Sequence, residues 1–482
     1  WREITLQRYA KDNPTAMENR KAGTVEWQLQ YTYFDNPMTI AAHPLNRRLR
    51  CSAIEGYSSK TSLYPGETID FMVSMNPGGS FIIDFYRMGY YEGMGAREMG
   101  SVGPIKGGPK PMPMMSIERL RECDWDKSFS LKVPDDWPSG VYIAKFTRQD
   151  PPGLQNYVIF IVKSLRKTDL LCQVSDLTWQ AYNRWPGLDS IYNDGTTDPY
   201  YVGTGVRVSF DRPYAKYCQV LDSSLSSGTG EYLLWEHPMT FWLEQQGYDV
   251  GYCSNLDLHM DPDVLSKAKV FVSVGHDEYW SRKMLEETIR ARDDGLSIAF
   301  FSGNSVYWEI EFYDSSITGA PCRAFSRKQN FQDEDTLMGV KSYGPGYGDW
   351  VITNSDHWIY EDTGLNTGDK LPGIIGWEYH GTPAEIDGLE IVASSQLDGC
   401  IREKLSEGPV EENQVHHGIV YPCDKGNWVF NAGTIWWPEG LSNPPGHIPA
   451  RGHCGGTFGV LKPIQKITSN ILDKMIEDSP RS

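Results

Sequence analysis

The sequence predicts two kinds of fold in one chain: an all-β sandwich, then an α/β domain with a mainly parallel sheet and helices on both faces. Three observations carry that prediction. Short apolar strands punctuated by Gly and Pro run from 46 to 165, as in antiparallel sandwiches. Beyond them, β-branched apolar runs alternate with helical spacing, the grammar of strand–helix–strand units. Four polar, aromatic-rich turns then directly follow such runs, at the strand ends where open α/β sheets place their ligands.

Each segment can be justified in order. Residues 1–45 are polar without clear periodicity and read as an N-terminal arm. In 46–165 the strands are carried by TSLYPGETIDFMVSM, GGSFIIDFYRMGYY, DKSFSLKVPDDWPSGVYIAKFTR and LQNYVIFIVK. The alternation of Tyr142, Ala144 and Phe146 points one face inward, giving an immunoglobulin-like sandwich. In 166–482, LLCQVSD, YDVGYCS, KVFVSVG, LSIAFFSG and GLEIVASS read as strands, and MTFWLEQQG and SRKMLEETIRARDDG as helices. Ser281 is placed to cap the second helix. Stretches 183–235, 340–380 and 433–460 are too long for connectors and read as insertions that build a site or an interface.

Composition narrows the function classes. A chain of 482 residues with 40% hydrophobic content and 16 Trp holds two or three domains and is not largely disordered. Lys+Arg 45 against Asp+Glu 63 gives −18, which argues against nucleic-acid backbones and anionic membranes. No apolar run approaches the roughly 18 residues that span a bilayer. The expectation is therefore a soluble protein acting on a small-molecule substrate, with no nucleic acid, no membrane and room for a homo-oligomer. The start at Trp1 fits a removed leader. The nine Cys show no CxxC or zinc-like spacing, and Cys172 and Cys253 fall within apolar strands, where thiols are inert.

The turns that carry chemistry are TWQAYN (178–183), GHDEYW (275–280), SGNSVYW (302–308) and GWEYHG (376–381). GHDEYW gathers His276, Asp277, Glu278 and Tyr279 on what reads as a turn between a strand and the helix after it. Tyr279 and Tyr307 lie one helix-plus-strand unit apart, so they fall on neighbouring strands facing one crevice. The common kits are missing: no G-x-S-x-G elbow, no phosphate-binding G-x-x-x-x-G-K-[ST] loop, no H-E-x-x-H, and no G-x-G-x-x-G after a strand of the second domain. Two Tyr and a Glu are hard oxygen donors suited to a trivalent cation. A free phenol has a pKa of about 10, but a bound cation deprotonates its ligands, and tyrosinate is a known ferric ligand. Such a centre polarises a carbonyl and acidifies water. His276, Glu278 or His380 would then move protons, Asn304 would hydrogen-bond the substrate or a water, and Trp280, Trp308 and Trp377 would wall the pocket.

Taken together, the four turns resemble the large subunit of N,N-dimethylformamidase and its wider relatives. The stretches GYSSKTSLYPGE (56–67) and FYRMGYYEGMGAR (85–97) look like the sandwich that precedes the catalytic domain in many of them. The resemblance implies a glutamine-amidotransferase-like second domain and an amidohydrolase with mononuclear non-haem Fe(III) held by two Tyr and one Glu. By position it carries the ligand roles onto Tyr279, Tyr307 and Glu378, leaving Glu278, His276, Asn304 and His380 for catalysis. The family's characterised enzyme also has a small partner subunit and a different amino-terminal region. Two other readings stand beside this one. The first is a catalytically silent protein that binds a carbohydrate or a partner protein through loops such as NWVFNAGTIWWPEG (427–440). The second is a hydrolase using another metal, such as zinc on His276, Glu278 and His380.

Overall fold

The computed structural model describes residues 12–35, 50–196, 201–215, 231–344, 346–376, 378–398, 414–447 and 459–481. The fold is rich in sheet, with several mixed sheets and few helices. Between residues 54 and 162, an antiparallel three-stranded sheet (Glu55–Ser58, Thr68–Ser74, Phe129–Lys132) shares one apolar cluster with a five-stranded sheet. Phe71, Phe81, Phe85, Phe146 and Phe160 dominate that cluster, and its rings meet largely edge to face, the arrangement their quadrupoles favour.

The second half is organised by a seven-stranded sheet in the order Val250–Ser254, Thr168–Val174, Ala268–His276, Ser297–Gly303, Trp428–Asn431, Val415–Pro422, Glu390–Gln396. The first five strands run parallel and the last two pair antiparallel. Side chains alternate between two apolar layers. Val270, Val272 and Val274 enter one with the helices His237–Gln245 and Lys462–Glu477. Phe271, Ile298 and Phe300 enter the other with Asn255–Met260 and Arg282–Asp293. Both faces are thus buried, which is why these strands read as continuous apolar runs. The structure caps Arg282–Asp293 through Ser281 as its sequence implies.

Three expectations need correction. GLEIVASS forms an antiparallel edge strand rather than another parallel one. The stretch 427–440, read as an aromatic loop, instead supplies the parallel strand Trp428–Asn431 and the buried Trp436 and Trp437. The chain after His276 is not a simple turn, because Tyr279–Ser281 is itself a strand. It joins a four-stranded sheet in the order Arg207–Ser209, Ala324–Asn330, Trp308–Tyr313, Tyr279–Ser281.

A buried polar knot joins the two halves. Arg87 of the strand Gly79–Met88 meets Glu244 of His237–Gln245 at 2.9 Å. Asn19 and Tyr252 also donate to Glu244. Among the described residues, no helix is long and apolar enough to cross a membrane.

Candidate active site

The site is built where the two sheets of the second half meet. Gly275, one residue before the end of Ala268–His276, has φ 69 and packs its bare Cα on Trp235, where a Cβ would come within 2.6 Å. Only glycine meets both demands cheaply. Asp277 then accepts four hydrogen bonds, from Gln173 Nε2 (2.7 Å), Asn255 Nδ2 (2.8 Å), Ser273 Oγ (2.7 Å) and Trp280 Nε1 (2.9 Å). Burial pushes its pKa up while these donors oppose the rise. Asp277 therefore fastens the turn.

The loop after Ser297–Gly303 is stitched to this turn. Val306 N donates to Asp277 O (3.1 Å), and the amides of Tyr307 and Trp308 donate to Glu278 O (3.0 and 2.9 Å). Asn304 and Val306 sit at φ 48 and 52. Asn tolerates that region, but for a β-branched Val it is strained, a hallmark of positions held for function. Ser305 N donates to His380 Nε2 (3.0 Å), whose Nδ1 bonds Asn431 Oδ1 at 2.7 Å.

Side-chain oxygens converge on Glu278. Tyr182 OH donates to Glu278 Oε2 (3.0 Å). Tyr192 OH donates to Tyr182 OH (3.0 Å) and lies 3.3 Å from Glu278 Oε1. Tyr279 OH is hydrogen-bonded to Tyr192 OH. His276 Nε2 lies 3.4 Å from Glu278 Oε2 and 2.5 Å from Glu378 Oε2. Burial raises the Glu278 pKa to about 8, the Glu378 carboxylate adds to the rise, and His276, Tyr182 and Arg327 oppose it. Burial lowers the His276 pKa, against the pull of Glu278 and Asp277. The Tyr307 phenol is raised by burial and then by the charges of Glu278 and Glu378. Asn304 Oδ1 is buried with no hydrogen-bond partner among the described residues.

The structure thus gathers His276, Glu278 and Glu378, ties Tyr279 to them through Tyr192, and joins Tyr307 to Glu278 through its backbone amide. His380 stands behind the 304–306 loop with both ring nitrogens engaged, and burial lowers its pKa to about 4. Among the described residues, no group of three or more His, Cys, Asp and Glu side chains is arranged to hold a metal ion, so a zinc set of His276, Glu278 and His380 is not assembled. Trp280 is a core residue, fully buried on Asp277. Trp308 packs edge-on against Tyr307, and Trp377 lies outside the described residues. The sequence alone assigns no role to Tyr182 or to Tyr192. Tyr182 closes the short helix Asp176–Tyr182 that follows the strand Thr168–Val174, and could have been found from that placement. Tyr192 lies inside a long insertion and carries no local signal.

Comparison with known proteins places these residues in context. Residues 82–450 match the family model described as N,N-dimethylformamidase beta subunit-like, C-terminal. The N,N-dimethylformamidase beta subunit of Alcaligenes sp is 26% identical over 231 residues, 40% of this chain and 29% of that protein. The corresponding subunit of Paracoccus aminophilus is 23% identical over 228 residues, again 40% and 29%. The match therefore spans under a third of the length of these relatives. A solved Paenibacillus sp. cycloisomaltooligosaccharide glucanotransferase covers 70% of this chain and 69% of its own at 10% identity, but its TM-score of 0.18 carries no argument.

Proposed function

The chain belongs to the N,N-dimethylformamidase beta subunit-like, C-terminal family, and from that premise we propose an iron-dependent, amidohydrolase-like enzyme that cleaves the C–N bond of a small amide. One observation carries the proposal: the mutual contacts of Tyr182, Tyr192 and Glu278 at 3.0 to 3.3 Å. Two phenols and a carboxylate at that spacing are the hard donor set that fits a mononuclear ferric ion. This revises the set expected by position, Tyr279, Tyr307 and Glu378. Tyr279 instead supports Tyr192 through its hydroxyl, while Tyr307 and Glu378 border the site. A ferric ion held there supplies Lewis acidity toward an amide carbonyl and toward water.

The rest of the chemistry falls to side chains of this chain. Glu378 is partly exposed and in contact with His276, so it takes the proton from the attacking water while His276 fixes its carboxylate. The water oxygen bonds to the carbonyl carbon, the C–N bond breaks, and the leaving nitrogen collects the proton from Glu378, giving a carboxylic acid and an amine, whose own proton exchange then yields carboxylate and ammonium. Asn304 Oδ1 accepts a hydrogen bond from the water or from a substrate N–H. His380 positions the 304–306 loop. On the same reading the seven-stranded sheet is glutamine-amidotransferase-like, the two-sheet region immunoglobulin-like, and the units are 1–45, 46–165 and 166–482.

The test is a panel of formamides and acetamides incubated with iron-loaded protein and assayed for released amine. Turnover abolished by Glu378→Gln supports the reading. Iron uptake without turnover of any amide would make the chain a catalytically silent binding protein.

A further inference from the structure

Arg327, on the strand Ala324–Asn330, is 1% exposed and forms no ion pair among the described residues. Its guanidinium stacks on the rings of Tyr192 (4.6 Å) and Trp308 (4.9 Å). Nη2 donates to the carbonyls of Ile191 (3.0 Å) and Tyr201 (2.7 Å), while Nε and Nη1 are buried without an acceptor among the described residues. A buried cation without a carboxylate partner is costly, and here its compensation is local. Ile191 immediately precedes Tyr192, and Tyr201 N donates to Tyr192 O at 2.9 Å. The guanidinium thus holds the residue before Tyr192 and the segment hydrogen-bonded to it, and covers its ring.

We propose that Arg327 is the positioning residue of Tyr192, fixing the phenol oxygen against Tyr182 and Glu278. The inference rests on the ferric reading of the site. Arg is suited to this task because its planar cation stacks on an aromatic face while donating in its own plane. A lysine keeps the charge and loses the stacking and the paired donation. A methionine of similar reach loses all three.

The test loads wild type, Arg327→Lys and Arg327→Met with ferric ion and reads the dissociation constant and the visible tyrosinate charge-transfer band, with circular dichroism to confirm folding. Affinity should fall tenfold or more in Arg327→Met and less in Arg327→Lys, with the band shifted in whatever iron-bound fraction remains. Wild-type affinity and an unshifted band in folded Arg327→Met overturn the proposal. If Arg327→Met does not fold, Arg327→Lys decides by the same two readings. A wild type that takes up no ferric ion refutes the donor set itself, a failure distinct from iron-loaded wild type matched by its Arg327 variants.

Discussion

Replacing Asp277 separates two roles that a carboxylate in GHDEYW can play. Its two oxygens face two pairs of donors, Asn255 Nδ2 with Trp280 Nε1, and Gln173 Nε2 with Ser273 Oγ. Asp277→Ala strands the first pair, since neither the indole nor the Asn amide has another acceptor among the described residues, and each buried donor left unmade costs about 1–3 kcal/mol. The second pair is more forgiving. Ser273 Oγ already touches Ser302 Oγ at 2.9 Å, and Gln173 can turn its amide, whose Oε1 has no partner among the described residues. The expected loss for Asp277→Ala is therefore about 3–5 kcal/mol, cavity included. Asp277→Asn keeps an oxygen for the rigid pair and presents an amide to the adaptable one, so its loss should be about 1–2 kcal/mol. Urea unfolding followed by Trp fluorescence measures both. The reasoning is refuted if Asp277→Ala stays within about 1 kcal/mol of wild type, or if Asp277→Asn is as damaging as Asp277→Ala.

Three further outcomes are expected. Gly344→Ala puts a Cβ 2.8 Å from Glu378 Cγ, so Glu378 must retreat by about half an ångström or more; a crystal structure should show its contact with His276 lengthened, and amide turnover should drop about tenfold or more. Glu244→Leu leaves Arg87 charged and buried and should cost about 3–5 kcal/mol, much of it recovered in Arg87→Met/Glu244→Leu, as a double-mutant denaturation cycle would show. His416 is buried and its pKa is pushed down to about 3 from the ordinary 6.5, chiefly by burial. The unfolded chain therefore binds a proton below pH 6.5 that the folded chain refuses, and stability falls as the pH drops. Between pH 7.5 and 5, wild type should lose about 2 kcal/mol more than His416→Gln in paired urea titrations.

The parallel strands were legible because a sheet covered on both faces is apolar along most of its length, and VFVSV and LSIAFF are, with a single Ser each. WVFN was not, because four residues among exposed-looking aromatics and turn residues do not announce a central strand. The second sheet was hidden for a similar reason: Tyr279–Ser281 is three residues long, and only its pairing with Trp308–Tyr313 makes it a strand. At the site, proximity in sequence located His276, Glu278 and Tyr307, since each lies at or near the end of a strand. Tyr192 could not be read this way. It reaches Glu278 from an insertion, held by Arg327 through long-range contacts that no local pattern encodes. For the same reason no local pattern shows that Asp277, a neighbour of two site residues, is the acceptor of four buried donors.

The most direct test of the central claim is iron content together with the visible spectrum, measured on wild type and on Tyr182→Phe, Tyr192→Phe and Tyr307→Phe. The account predicts near-stoichiometric iron and a charge-transfer band in wild type and in Tyr307→Phe, with band and iron reduced or lost in Tyr182→Phe and Tyr192→Phe. Full iron and an unchanged band in Tyr182→Phe and Tyr192→Phe, with both lost in Tyr307→Phe, would contradict it.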